Sequence, residues 1–140
     1  MNPLFDRLRQ AGIGCEIAGM WIGIVGYADD IILLAPNRLA AQRMLKICEE
    51  FADEYNIRFS TDEEHSKSKS KAIFMVGQQG KDMQKPIPLI LCGKPIPWVE
   101  RADHLGHTLC SDGTMIQDIK EKRAQFINSA VKVRETFTYS

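Results

Sequence analysis

The sequence has no excess of charge of either sign. Its 140 residues hold 18 Lys plus Arg and 18 Asp plus Glu, which gives a formal net charge of +0. Proteins dedicated to nucleic-acid binding are usually basic, because a positive field attracts the phosphate backbone. Any contact with nucleic acid must therefore come from local clusters of basic residues, not from the chain as a whole.

Cysteine is scarce, and none of the four residues forms a Cys-x-x-Cys pair (Cys15, Cys48, Cys92, Cys110). With no secretory signal at the N-terminus, this pattern predicts reduced thiols in an intracellular protein, nuclear or cytoplasmic. Long hydrophobic runs are also missing, because the apolar stretch at 22–35 is cut by glycines and aspartates and is too short to span a bilayer. We expect a soluble chain with no membrane partner.

The sequence also lacks internal repeats and low-complexity linkers, and its 44% hydrophobic content suits one globular domain with a core. Helical periodicity predicts a helix after Pro3, a second at 38–55 and a third from Met115 onward. Shorter apolar or alternating segments predict strands at 13–17, 20–26, 31–35, 57–59, 72–76, 88–91, 96–99 and 104–109. The expected fold class is α+β, with an antiparallel sheet and helices packed on one of its faces.

Two adjacent aspartates, Asp29 and Asp30, lie between two strongly apolar segments. Charge placed among apolar residues costs several kcal/mol unless it is paired or binds a metal. A tight turn would lift both carboxylates to the end of a hairpin, where they offer the oxygen ligands that Mg²⁺ prefers. Two such ions can stabilise both oxygens of a phosphoryl transfer. The alternative is an ordinary solvated turn, but such turns usually have polar borders.

Residues 27–35 read Tyr-Ala-Asp-Asp-Ile-Ile-Leu-Leu-Ala, and this YADD motif resembles the catalytic hairpin of reverse transcriptases of the non-LTR (LINE-like) retrotransposon type. Bacterial intron-encoded reverse transcriptases are weaker relatives, because the Leu-Leu-Ala-Pro lead into the next helix favours the non-LTR type. The resemblance covers nearly the whole chain in the family's order. Its further segments are Asn2 to Phe5, Gly14 to Ile17, Leu39 to Tyr55, Ser68 to Phe74, His104 to His107 and the stretch after Gly113.

This resemblance implies a partial polymerase palm at 1–112 and the start of a thumb helix at 113–140. It implies RNA-directed DNA polymerase activity in a complete parent enzyme, with an RNA template, a DNA primer and Mg²⁺ or Mn²⁺. Asp29 and Asp30 would be catalytic metal ligands, with Asp29 the more important. Tyr27 would lie beside the primer terminus or the incoming nucleotide.

Two further roles follow from the resemblance. Lys69 would neutralise or protonate the pyrophosphate leaving group, although Lys67 and Lys71 remain alternatives because the loop before them is longer than in the family. Leu105 and Gly106 would support the primer backbone, although the family commonly has tyrosine where His104 stands.

A two-metal polymerase needs another carboxylate on a neighbouring strand. The family carries it in an earlier motif, upstream of residue 1, and none of the other aspartates fits the role. We therefore expect weak metal binding and no primer extension by this fragment alone. The alternative is a non-catalytic remnant, or a palm scaffold reused to bind nucleic acid or protein. A phospho-acceptor receiver domain is disfavoured, because a strand and not a helix follows the acidic pair.

Two other features of the sequence give weaker indications of function. Residues three apart on one strand face opposite sides, so we do not expect zinc binding at His104 and His107. The last helix carries an apolar stripe that favours self-association if it stays exposed (Ile116, Ile119, Phe126, Ile127, Val133).

Overall fold

The computed structural model describes residues 3–61, 69–75, 86–114 and 119–129. It combines helices with small antiparallel sheets, as expected for the α+β class, but the described strands form five separate two-stranded sheets and not the single sheet that was expected. The described residues form two compact units, one from 3–61, 69–72 and 86–97, the other from 73–75, 98–114 and 119–129. Within these ranges, no helix is both long and apolar enough to cross a bilayer.

The first two helices follow the predicted boundaries closely, and the predicted ends of the third lie outside the described residues. Helix α1 spans Pro3–Ala11 and helix α2 spans Arg38–Tyr55, and residues 119–129 form a third helical segment, α3. The side chain of Asn37 caps α2 by accepting the N–H of Ala40 at 2.9 Å. Asn56 ends the helix in the left-handed conformation, with a φ of 53°.

The strands are short and pair in twos. They are β1 (Glu16–Ile17), β2 (Met20–Trp21), β3 (Ile24–Tyr27), β4 (Asp30–Leu33), β5 (Ala72–Ile73), β6 (Leu89–Leu91), β7 (Lys94–Ile96), β8 (Trp98–Val99), β9 (Arg101–His104) and β10 (His107–Cys110). Four antiparallel hairpins join neighbours in the chain: β1–β2, β3–β4, β6–β7 and β9–β10. Strand β5 pairs with β8.

The core of the first unit lies between α1, α2 and the β3–β4 hairpin. Its most buried residues come from the two helices (Leu4, Leu8, Met44, Cys48, Phe51). Ile24, Ile31 and Leu33 of the hairpin pack against this cluster. Both helices therefore cover one face of β3–β4, because these three residues share a face in the observed register.

Side chains of α2 also bind the backbone of β6 and its flanks. The amide of Gln42 both donates to the carbonyl of Ile90 at 2.8 Å and accepts its N–H at 2.9 Å. Arg38 donates to the carbonyls of Ile87 and Pro88, and Glu49 accepts the N–H of the residue after β6. Gln42 thus supplies the two bonds that a neighbouring strand would make with β6.

In the second unit, β9 and β10 form a hairpin in which the Thr108 hydroxyl donates to the Asp103 carboxylate at 2.8 Å. Phe74 and Trp98 meet edge to face, with ring centroids 6.0 Å apart. The α3 segment is exposed throughout, including its apolar residues, and the Phe126 side chain is 75% exposed.

Four strand predictions were wrong. The expected strand at 96–99 is divided at Pro97, between the end of β7 and the start of β8. The expected strand at 20–26 is divided at Ile22 and Gly23, and residues 57–59 are not a strand. The expected strand at 104–109 is instead parts of two strands with a turn at Leu105 and Gly106.

Candidate functional site

The acidic pair lies at the tip of the β3–β4 hairpin, as predicted. Tyr27 pairs with Asp30, so the turn consists of Ala28 and Asp29. The first turn residue, Ala28, has a φ of +53°. In two-residue hairpin turns this position usually belongs to glycine or asparagine, because a Cβ strains the left-handed conformation. The tip therefore holds an alanine where glycine would be more stable.

The pairing register decides which side chains share a face. Directly opposed residues point the same way, so Tyr27 and Asp30 lie on one face together with Val25 and Ile32. This is the face away from α1 and α2. It is open, since the Tyr27 side chain is 66% exposed and that of Val25 is 46% exposed.

The two carboxylates have no ion-pair or hydrogen-bond partner in the part of the chain that the structure describes. Both residues are exposed, and residues 21–37 contain no lysine or arginine to neutralise them. Exposed carboxylates on two consecutive residues can hold a divalent cation that keeps several of its own waters. A complete protein-built site is not present among the described residues, because no three His, Cys, Asp or Glu side chains group together.

Close backbone packing anchors the hairpin. Phe5 of α1 lies against Gly26, where an added Cβ would come within 2.4 Å of the Phe5 Cζ atom. Just before β3, the backbone of Gly14 approaches Gly23 so closely that a Cβ added to Gly14 would lie 2.6 Å from the Gly23 Cα. Gly26 thus lets β3 pack closely against α1, and Gly14 and Gly23 let the backbone before β1 pass close to the backbone before β3.

Lys69 is exposed in the segment that follows the loop. This segment is tied to the residues after α2, where the N–H of Ser70 donates to the carbonyl of Ser60 at 3.3 Å. Among the described residues, no hydrogen bond or ion pair joins Lys69 to the hairpin. Lys71 is likewise exposed, and Lys67 lies outside the described residues, so the choice among the three lysines stays a prediction.

Leu105 and Gly106 form the turn of the β9–β10 hairpin in the second unit, with φ values of 51° and 75°. Both residues are exposed at the tip of this hairpin, and their role at a primer stays a prediction. His104 and His107 oppose each other across this turn, so the expectation that they face opposite sides was wrong. Within the described ranges no third ligand joins them.

A groove beside β3 was not predicted from the sequence. It has a volume of about 240 Å³ and lies between α1, the end of β2 and the start of β3. The Arg9 guanidinium is 5.8 Å from the centre of the Trp21 ring, and the Trp21 indole Nε1 donates to the carbonyl of Ile13 at 3.1 Å. In the sequence, the only signal for this groove was the presence of two bulky aromatic residues, Phe5 and Trp21.

Comparison with other proteins adds no family to these observations. No protein-family model, curated protein or solved structure matches the chain. Function is therefore inferred from the chain's own residues, above all from the two unpaired carboxylates at the tip of an apolar hairpin.

Proposed function

We propose that this chain is a palm-to-thumb part of an RNA-directed DNA polymerase, similar to the reverse transcriptases of non-LTR retrotransposons. The observation that carries the proposal is the position of Asp29 and Asp30, which are adjacent, exposed and without a described partner at the tip of β3–β4. Exposed carboxylates that no protein group neutralises are available to bind a hydrated divalent cation.

The chain's own residues suit nucleotide transfer. Asp29 and Asp30 would hold the divalent cations, which when bound neutralise the charge on the attacking and leaving oxygens. Tyr27 shares the open face with Asp30 and offers its ring to a sugar or base. Lys69 would bring a positive charge to the leaving pyrophosphate, and the turn at Leu105 and Gly106 would contact the primer backbone.

Two features, one in each unit, support this assignment. Helices cover one face of β3–β4 and leave the face with Tyr27 and Asp30 open, which is what access for a nucleic-acid duplex requires. In α3, three exposed basic residues (Lys120, Lys122, Arg123) outnumber the one acidic residue, Glu121. Such a local excess attracts phosphates even though the whole chain is neutral.

Manganese binding tests the metal site directly. Mn²⁺ added to the ¹⁵N-labelled chain should broaden the amide signals of residues 27–31 first, because the ion is paramagnetic. Asp29→Asn should weaken this effect about tenfold, since one of two charged ligands is lost. Glu50→Gln is the matched control, because Glu50 is an exposed acid with an acidic neighbour, Glu49, on the side of α2. Equal broadening in Asp29→Asn and the unmodified chain would contradict the proposal.

Primer extension tests activity. We expect the purified chain not to extend a primer on an RNA template, because the described residues bring no third carboxylate to the hairpin. Extension that Asp29→Ala abolishes would overturn this expectation. The same missing carboxylate favours a second candidate, a palm scaffold that binds nucleic acid or protein without catalysis. Template–primer binding with no Mn²⁺ effect at residues 27–31 would favour that candidate.

Self-association is proposed through α3. Ile119, Phe126 and Ile127 are exposed in the structure, at spacings of seven and eight residues that place them on one helical face. We expect light scattering to show dimers or larger species at high protein concentration. Phe126→Ser should shift the population to monomers, and a monomeric unmodified chain would contradict the proposal.

A further inference from the structure

The outer edge of β3 has hydrogen-bonding groups that point away from its partner strand. The N–H of Leu34 donates to the carbonyl of Gly23 at 2.8 Å, which makes these two directly opposed residues a hydrogen-bonded pair. Such pairs alternate with non-bonded pairs along an antiparallel ladder. Ile24 and Gly26 therefore belong to non-bonded pairs, and their N–H and C=O groups point outward.

The groove of about 240 Å³ runs along this same edge. Ile24 and Val25 both line it, although their side chains point to opposite faces of the strand. A space lined by both must lie at the strand's edge, and β4 already occupies the other edge. Phe5 and Trp21 supply apolar walls. The volume is below the range of about 300–1,000 Å³ that suits small-molecule and cofactor sites, so a single side chain fits better than a nucleotide.

We propose that the outer edge of β3 binds an extended segment of a partner polypeptide by β-strand addition. The segment's backbone bonds the outward groups of Ile24 and Gly26, and one of its apolar side chains fills the groove between Phe5 and Trp21. An extended peptide is the ligand whose alternating N–H and C=O groups match an open strand edge. This inference does not involve the carboxylates, so it stands apart from the proposed polymerase function.

The size of the groove decides between a peptide segment and a second copy of the chain. Helix α1 forms one wall of the groove. In a second copy the same helix stands beside the same strand, so two folded edges would bring two α1 helices into one narrow space. A single extended segment has no such obstacle. Strand β4 provides an internal reference, because Ile31 and Leu33 also belong to non-bonded pairs and point their backbone groups outward.

Hydrogen exchange of the full ¹⁵N-labelled chain tests the proposal without any mutation. The probe is an acetylated, amidated octapeptide of alternating threonine and leucine, added at millimolar concentration. We expect amide exchange at Ile24 and Gly26 to slow by about tenfold or more, because these N–H groups gain an acceptor, while Ile31 and Leu33 keep their rates. No slowing at the β3 edge, or equal slowing at both edges, would overturn the proposal. If amide exchange at Ile24 slows without peptide as the protein concentration rises, the edge binds a second copy of the chain, and the proposal is overturned.

Two controls define the binding mode. N-methylation of alternate peptide amides blocks one edge of the peptide, so only one of the two complementary methylated forms should still bind. Val25→Lys should reduce peptide affinity, whereas Ile32→Lys should not, because the two residues share a face and only Val25 lines the groove. Equal binding by both methylated forms, or equal loss in both variants, would refute strand addition at β3.

Discussion

Replacing Ala28 with glycine should stabilise the protein and weaken its hold on a divalent cation. Ala28 has a φ of +53°, where a Cβ costs about 1–2 kcal/mol. Glycine removes this strain but adds about 0.5–1 kcal/mol of backbone entropy to the unfolded chain. The net expected gain is about 0.5–1 kcal/mol in the free energy of unfolding, or about 2–4 °C in Tm for a chain of this size.

The effect on metal binding has the opposite sign. A glycine tip holds the Asp29 and Asp30 carboxylates less rigidly, so ordering them around an ion costs about the same 0.5–1 kcal/mol. We expect the Mn²⁺ affinity, measured from the broadening of amide signals, to fall about two- to fivefold. Stability and binding should thus change in opposite directions.

Ala18→Gly is the matched control. Ala18 is the first turn residue of the β1–β2 hairpin and has a φ of 50°, but no carboxylate is in that turn. It should raise Tm by a similar amount and leave Mn²⁺ binding unchanged. The reasoning fails if Ala28→Gly does not raise Tm, or if Ala18→Gly changes Mn²⁺ affinity as much as Ala28→Gly does.

Three further predictions follow from packing, hydrogen bonding and burial. Gly26→Ala should lower the free energy of unfolding by about 1–3 kcal/mol in urea titrations, because its Cβ would meet the Phe5 ring at 2.4 Å, and Phe5→Leu should restore part of the loss. Gln42→Glu should cost about 1–2 kcal/mol at neutral pH, because a carboxylate cannot donate to the Ile90 carbonyl; a loss that does not shrink at acid pH, where the carboxyl regains its proton, would contradict this. Burial raises the pKa of the Cys48 thiol from 9.0 to about 12. The buried thiol therefore stabilises the fold fully below pH 9, and this contribution is lost between pH 9 and 12, because the thiol ionises first in the unfolded chain. Between pH 9 and 12, the Tm measured by thermal unfolding should fall less in Cys48→Ala than in the unmodified chain.

The parts of the fold that could be predicted have local causes. The boundaries of α2 follow from its apolar spacing and from Asn37 and Asn56 at its ends. The β3–β4 hairpin follows from two apolar runs around an acidic tip, and this holds whatever its function. Both depend on residues within a few positions of each other in the sequence.

The parts that could not be predicted depend on contacts between distant residues or on unusual turns. The strand predicted at 20–26 breaks because the Trp21 ring covers Gly23, which alternation alone does not reveal. The β9–β10 turn was missed because Leu105, a poor residue for a φ of 51°, occupies its first position. The outward-pointing N–H and C=O groups of β3 could be identified only from the observed pairing register, because a shift of one residue would exchange the inward and outward groups.

The bonds between α2 and β6 make one half-buried side of the helix sensitive to its length. Arg38, Gln42 and Glu49 are spaced by four and seven residues, so all three lie along one side of the helix. One residue inserted after Gln42 would turn Glu49 away by about 100°, whatever residue was added. The number of residues in α2 between positions 38 and 49 must therefore match the spacing of the backbone groups that these three side chains bind.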